Sequence, residues 1–224
     1  MKKFIKFILQ LLFFALLTFI GYKAFWQYQH ENRILKQVIE RLQADSRVAE
    51  VLVTGVNYDE KSAKTFTTIK FLEYDIDNKA LEPKYFTFSG NIIQFQSLVI
   101  RFDDIYVRNA DRLRGKSAFI FWKVFMLDGR NTQEYEINKM YDTPQGYKLN
   151  DIKDPFEDRL WKDFWIYALN PDRAKRSGVK NAQIEAPGTM FVPGHLYTLK
   201  IEHDGGLRID SLPLPVILHG EKIP

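Results

Sequence analysis

Four histidines, three pairs of neighbouring carboxylates and two tryptophans one helical turn apart have the types and spacing that could do chemistry in this chain. A zinc-type site needs three or four ligands converging on one point, and helices and hairpins supply them at short, regular spacings. His30, His195, His203 and His219 do not keep such spacings. His195, His203 and Asp204 come nearest, but on one strand they spread out instead of converging. No metal ligands and no cofactor are expected. The carboxylate pairs are Glu73 with Asp75, Asp103 with Asp104, and Glu134 with Glu136. Glycoside hydrolysis needs two such groups a set distance apart across a cleft. Asp103-Asp104 instead follows a strand and reads as a solvated turn. Cysteine is absent, and no G-x-S-x-G or phosphate-binding glycine loop occurs. No catalytic residue is expected, and the chain is not read as an enzyme.

Four apolar residues are candidate partner contacts: Met190, Phe191, Trp161 and Trp165. Met190 and Phe191 lie between Pro187-Gly188 and Pro193-Gly194, two turn signals that make a rigid loop. That loop is either a packed connector or a presented surface. Trp161 and Trp165 share one helical face, where a core role competes with a ligand platform. Basic and acidic residues are interleaved and the net charge is only +4. Nucleic acid, which calls for a concentrated basic face, is not expected as a partner.

The elements that must position these residues begin with the strongest pattern in the chain. Lys2, Lys3 and Lys6 precede an apolar run from Phe7 to Ile20, broken only by Gln10 and Thr18. Sixteen residues separate Lys6 from Lys23, slightly short of the roughly 17–25 of a membrane span. Lysines reaching to the interface make up the difference. Tyr22, Trp26 and Tyr28 sit where an interfacial aromatic belt belongs. Cleavage after Gly21 or Ala24 would put bulky Phe19 or Tyr22 three residues before the cut, against the small-residue requirement. Residues 1–26 are therefore expected as an uncleaved transmembrane anchor, contacting the bilayer through residues 4–26. The N-terminus would be cytoplasmic and the body extracytoplasmic, in an inner or plasma membrane.

Residues 27–47 read as a juxtamembrane helical stalk with an apolar stripe of Ile34, Val38, Leu42 and Ile39. The stripe packs on the protein itself or mediates self-association. Residues 48–224 read as one mainly β domain, an antiparallel sandwich or barrel with a helical insert at 154–177. EVLVTGVNYD and TFTTIKFLEYD flank a polar hairpin connection, and Gly90-Asn91 marks a turn. KSAFIFWKVFML is almost continuously apolar, the mark of a strand buried on both faces. In TQEYEI, Glu134 and Glu136 alternate outward and Tyr135 and Ile137 inward. Asp154, Pro155 and Glu157 mark a helix start. The C-terminal hairpin, HLYTLKIEH and LRIDSL, fits a three-residue loop at 204–206 that pairs Ile201 with Ile209, Leu199 with Ser211 and Lys200 with Asp210. The tail beyond reads as an extended strap.

These elements describe an anchored, non-enzymatic interaction or assembly module of the cell envelope, with another envelope protein as partner. The alternative is a lipid carrier with an apolar groove between sheets. A filled core would count against the carrier.

Overall fold

The computed structural model describes residues 2–42, 49–75, 78–102, 117–129, 131–147, 155–176, 179–201 and 206–215. The chain divides into two compact units, Met1–Val38 and Ile39–Pro224. The first is one helix, α1 (Lys2–Leu42). Within it, Lys6–His30 is long and apolar enough to cross a membrane, 25 residues against the sixteen counted between lysines. At 1.5 Å per residue that is about 37 Å, more than the roughly 30 Å of a bilayer core. Leu11, Leu12, Phe13, Phe14 and Leu16 are each more than half exposed in the isolated chain. Each such side chain forgoes on the order of 1.5–3 kcal/mol of burial in water. The Thr18 hydroxyl is satisfied internally, donating to the Phe14 and Ala15 carbonyls at 3.0 and 2.9 Å. The backbone of α1 runs on into the expected stalk as far as Leu42. The stalk's expected end near Arg47 and its apolar stripe lie outside the described residues and side chains.

Among the described residues the second unit has ten strands. These are β1 (Ala49–Asp59), β2 (Lys64–Glu73), β3 (Lys84–Phe88), β4 (Ile92–Phe102), β5 (Ser117–Asp128), β6 (Asn131–Glu136), β7 (Val179–Glu185), β8 (Gly188–Met190), β9 (His195–Ile201) and β10 (Leu207–Pro213). They form two antiparallel sheets, ordered β10-β9-β1-β2-β3 and β6-β5-β4-β7, with β8 also paired to β4. The C-terminal hairpin thus completes the N-terminal sheet, through pairs such as Val51 with Tyr197. Gly90-Asn91 does not join paired strands; it carries the chain from the first sheet to the second.

Inward-facing residues of both sheets make one core. Phe71 stacks on Phe95 at 5.5 Å and meets Phe121 edge-on at 5.4 Å. A bulge on β5 sets the phase of the second sheet. Ser97 pairs with Phe121 and Gln96 with Lys123, leaving Trp122 as the extra residue. Phe119 and Phe121 before the bulge, and Val124 and Met126 after it, therefore face the same core. The freed Trp122 ring meets Trp165 edge-on at 5.9 Å.

The expectation for β5 holds over part of its length. Phe119, Ile120 and Phe121 are consecutive and buried, so both faces are covered there, but Leu127 is 62% exposed. The cover on the outer face comes from α2 (Pro155–Leu169), which contacts β4 and β7 and is followed by the short α3 (Pro171–Arg176). Asn170 accepts the Arg173 N–H at 3.0 Å and so caps α3. Asp154, the expected cap of α2, lies outside the described residues. On β6, Glu134 and Glu136 face outward as expected. Tyr135 is 40% exposed instead of buried. Its ring lies against Phe86 and Phe88, and its hydroxyl donates to the Thr87 carbonyl at 2.7 Å.

The register of the last hairpin differs from the expected one by two residues. Ile201 pairs with Leu207 and Leu199 with Ile209. A shift of two keeps every side chain on its face and replaces a Leu–Ser pair with an apolar one. The Lys200–Asp210 attraction survives on the diagonal at 3.2 Å. The loop residues 202–205, including His203, lie outside the described residues.

Candidate functional site

The structure places the four candidate contact residues very differently. Trp161, Trp165 and Phe191 are fully buried, whereas Met190 is 54% exposed. Trp161 packs on Tyr147 at 4.5 Å and Phe164 at 5.2 Å. The Trp165 indole donates to the Asp142 carbonyl at 3.1 Å. Both tryptophans anchor the helical insert to the outer face of the second sheet, and neither presents a platform to solvent. Phe191 packs between Phe95 and Tyr197 at 5.9 and 4.3 Å. The loop expected around it is partly a strand. Phe191 N–H donates to the Asn91 carbonyl and Phe95 N–H to the Pro187 carbonyl, so β8 is tied to β4. That tie buries Phe191 and, by alternation, turns Met190 outward.

Met190 is part of a row. It pairs directly with Ile92 on β4. Ile93 is fully buried, so Ile92 faces away from the core and is 55% exposed. Gln94 pairs with Phe125 on β5, and Leu127, two residues beyond Phe125, is 62% exposed beside the buried Met126. Met190 and Ile92 are thus paired across β8 and β4 on the outer face of the second sheet, and Leu127 extends this outward apolar set onto the adjacent strand β5. Each is more than half exposed. Isolated exposed apolar residues are ordinary, but a contiguous row is a recognised mark of an interaction surface.

A second feature is a polar cleft of about 500 Å³ where the ends of β3 and β6 meet the loop after β6. Lys84, Glu136, Lys139 and Asp142 supply its charges, with Asn138, Thr143 and Gln145 as neutral polar groups and Ile137 beside them. Lys84 reaches it by parity. Phe86 and Phe88 point into the core, so Lys84, two residues before Phe86, points the same way at the end of the strand. Its ammonium donates to the Ile137 carbonyl. Burial pushes its pKa below the ordinary lysine value, and the nearby Glu73 charge pulls it back up in part. The loop is braced at several points. Asn138 donates to the Phe121 carbonyl at 2.8 Å and accepts from the Gln145 N–H at 3.4 Å. Within it Tyr141 holds φ of +68° and is 46% exposed. A bulky residue in that region carries on the order of 1–3 kcal/mol of strain, tolerated only where its surroundings enforce it.

Among the described residues the carboxylates of these pairs do not assemble into one site. Glu73 is buried at the end of the core. Asp75 accepts the Lys79 N–H at 2.9 Å. Glu134 pairs with Lys123 at 2.9 Å, while Glu136 lines the cleft. Asp103-Asp104 lies outside the described residues. Among the described residues no three His, Asp or Glu side chains gather closely enough to hold a metal ion. His195 approaches the Pro193 carbonyl at 3.5 Å, and His203 and His219 lie outside the described residues. Lys84 was missed as a site residue although its parity was readable. The row was missed because Met190 and Ile92 become neighbours only through strand pairing. Compared with known protein families, curated proteins and solved structures, the chain matches none of them.

Proposed function

We propose that this chain is a membrane-anchored interaction module of the cell envelope. In this reading α1 spans the membrane once with its lysine-rich N-terminus in the cytoplasm. The two-sheet body, a β-sandwich with one helical insert, lies on the far side and docks another envelope protein. It acts by binding and not by catalysis. The observation that carries the reading is the Met190–Ile92–Leu127 row. Three large apolar side chains, each more than half exposed, share one sheet face. Covering their exposed halves would contribute roughly 2–5 kcal/mol at the usual value per side chain, enough to centre an interface. The lipid-carrier alternative calls for an open apolar groove. Among the described residues the space between the sheets is instead occupied by Phe71, Phe88, Phe95, Phe121 and Phe191, all at 0–1% exposure.

The test is a photo-crosslinking residue at position 190 of the full-length protein in its own membranes. The expected result is one discrete protein adduct, lost on Ile92→Glu and Leu127→Glu while the circular dichroism spectrum is unchanged. Adducts with lipid alone, or no adduct at all, would refute the docking role. An adduct only with itself would replace the foreign partner by a second copy of the chain.

A further inference from the structure

We propose that the polar cleft formed by the ends of β3 and β6 and the 137–145 loop is a binding site for an uncharged saccharide. The argument starts from size. A volume of about 500 Å³ lies inside the roughly 300–1,000 Å³ range of small-molecule sites. Such sites are usually walled by apolar side chains. This one is not: among the described residues that line it, the only apolar one is Ile137, itself 3% exposed. An apolar ligand would leave most of that polar wall without hydrogen-bond partners.

Charge narrows the class further. Two basic groups, Lys84 and Lys139, face two acidic ones, Glu136 and Asp142, so the described part of the lining has no net charge. A strongly charged ligand would meet a like charge wherever it met an opposite one. A sugar hydroxyl both donates and accepts. It is matched by a wall that offers ammonium donors, carboxylate acceptors and the Gln145 amide side by side.

The frame is pre-organised, which lowers the ordering entropy that a ligand must offset. Asn138 and the Trp165 bond to Asp142 hold the loop at both ends. Between the lining residues Lys139 and Asp142 stands Tyr141, a bulky residue kept at φ +68° with its ring 46% exposed. In this proposal a sugar seated in the cleft offers its apolar C–H face to that amphipathic ring, which follows the lining residue Lys139 by two positions. The cleft shares no residue with the Met190–Ile92–Leu127 row, so the saccharide proposal and the protein-docking proposal stand or fall separately.

The test is calorimetric titration of the full-length protein, in a detergent without a sugar head group, with maltohexaose and with the hexamer of N-acetylglucosamine. The expected result is saturable one-site binding of at least one of them, with Kd below about 1 mM. Glu136→Gln combined with Gln145→Ala should weaken it tenfold or more, and Met190→Glu should leave it unchanged. Tyr141→Gly is the control for folding. It removes the ring and relaxes the backbone, so binding should fall tenfold or more while Tm holds or rises. Failure of both oligosaccharides to saturate would overturn the proposal, as would binding indifferent to Tyr141→Gly. Saturation by inorganic phosphate alone, abolished by Lys84→Gln, would make the cleft an anion site and equally overturn it.

Discussion

Replacing Trp165 and Trp161 by phenylalanine, one at a time, should destabilise the second unit by clearly different amounts, although both side chains are at 0% exposure. Each substitution deletes the same atoms from the same layer between α2 and the second sheet. The transfer and cavity contributions therefore largely cancel in the comparison. The hydrogen bonding does not cancel. The Trp165 indole donates to the Asp142 carbonyl at 3.1 Å. Its loss should cost about 1 kcal/mol. The Trp161 indole nitrogen is buried and has no hydrogen-bond partner among the described residues. Removing a buried unsatisfied donor relieves about 1–3 kcal/mol of desolvation penalty. Trp165→Phe should accordingly be the more destabilising by about 2–4 kcal/mol. For a body of this size the lower figure corresponds to a gap of about 4–8 °C in Tm. Ring contacts oppose the difference, since Trp161 has two aromatic neighbours and Trp165 one. A phenyl ring retains part of each. The assay is urea and thermal unfolding of the full-length protein in mild detergent, followed by far-UV circular dichroism, because tryptophan fluorescence is itself altered by the substitutions. If Trp161→Phe proves equally or more destabilising, the hydrogen-bond reasoning is wrong and packing alone governs the layer.

Two further outcomes follow from contacts in the first sheet and at β8. Tyr74 donates to the Glu50 carboxylate at 2.7 Å, which, with burial and the Glu50 charge adding to it, pushes the phenol up to about 12 from 10.0. Its folded pKa is the higher one, so its contribution to stability is complete below pH 10 and is lost as pH rises through 10 to 12. Ultraviolet titration should find one tyrosine ionising near 12, returning toward 10 in Glu50→Gln; an unchanged titration would remove the contact as the cause. Gly188→Ala would place a Cβ 2.4 Å from the Gln94 Cγ and 3.1 Å from the Ile93 carbonyl oxygen. A loss of about 1–3 kcal/mol is expected, partly restored by Gln94→Ala, and no change in unfolding midpoint would mean that β8 shifts freely.

Much of the architecture was legible because it is local. The apolar run of α1, the polar hairpin between β1 and β2 and the Pro155 helix start each depend on neighbours a few residues apart. The expected β content came from the same kind of signal, alternation within one strand. Lys84 belongs with these, since the parity of Phe86 and Phe88 already pointed it inward. The last hairpin marks the limit. Its faces were readable, but a slip of two residues preserves the faces, and only packing chose between Leu199–Ser211 and Leu199–Ile209.

The sequence by itself determined most of the helices and strands, with β8 the exception, the apolar face of most of them, and that one helix is long and apolar enough to cross a membrane. These follow from side-chain spacing and transfer free energy along a short stretch of chain. Only the tertiary structure decided that Phe191, Trp161 and Trp165 are core and Met190 is surface. It alone set Met190, Ile92 and Leu127 in one row and brought Lys84 to a loop more than fifty residues away. Those outcomes depend on which sheet each strand joins, on the Trp122 bulge and on where α2 ends its cover. Each is a competition among distant segments for the same buried area, and no spacing within a single segment records its result.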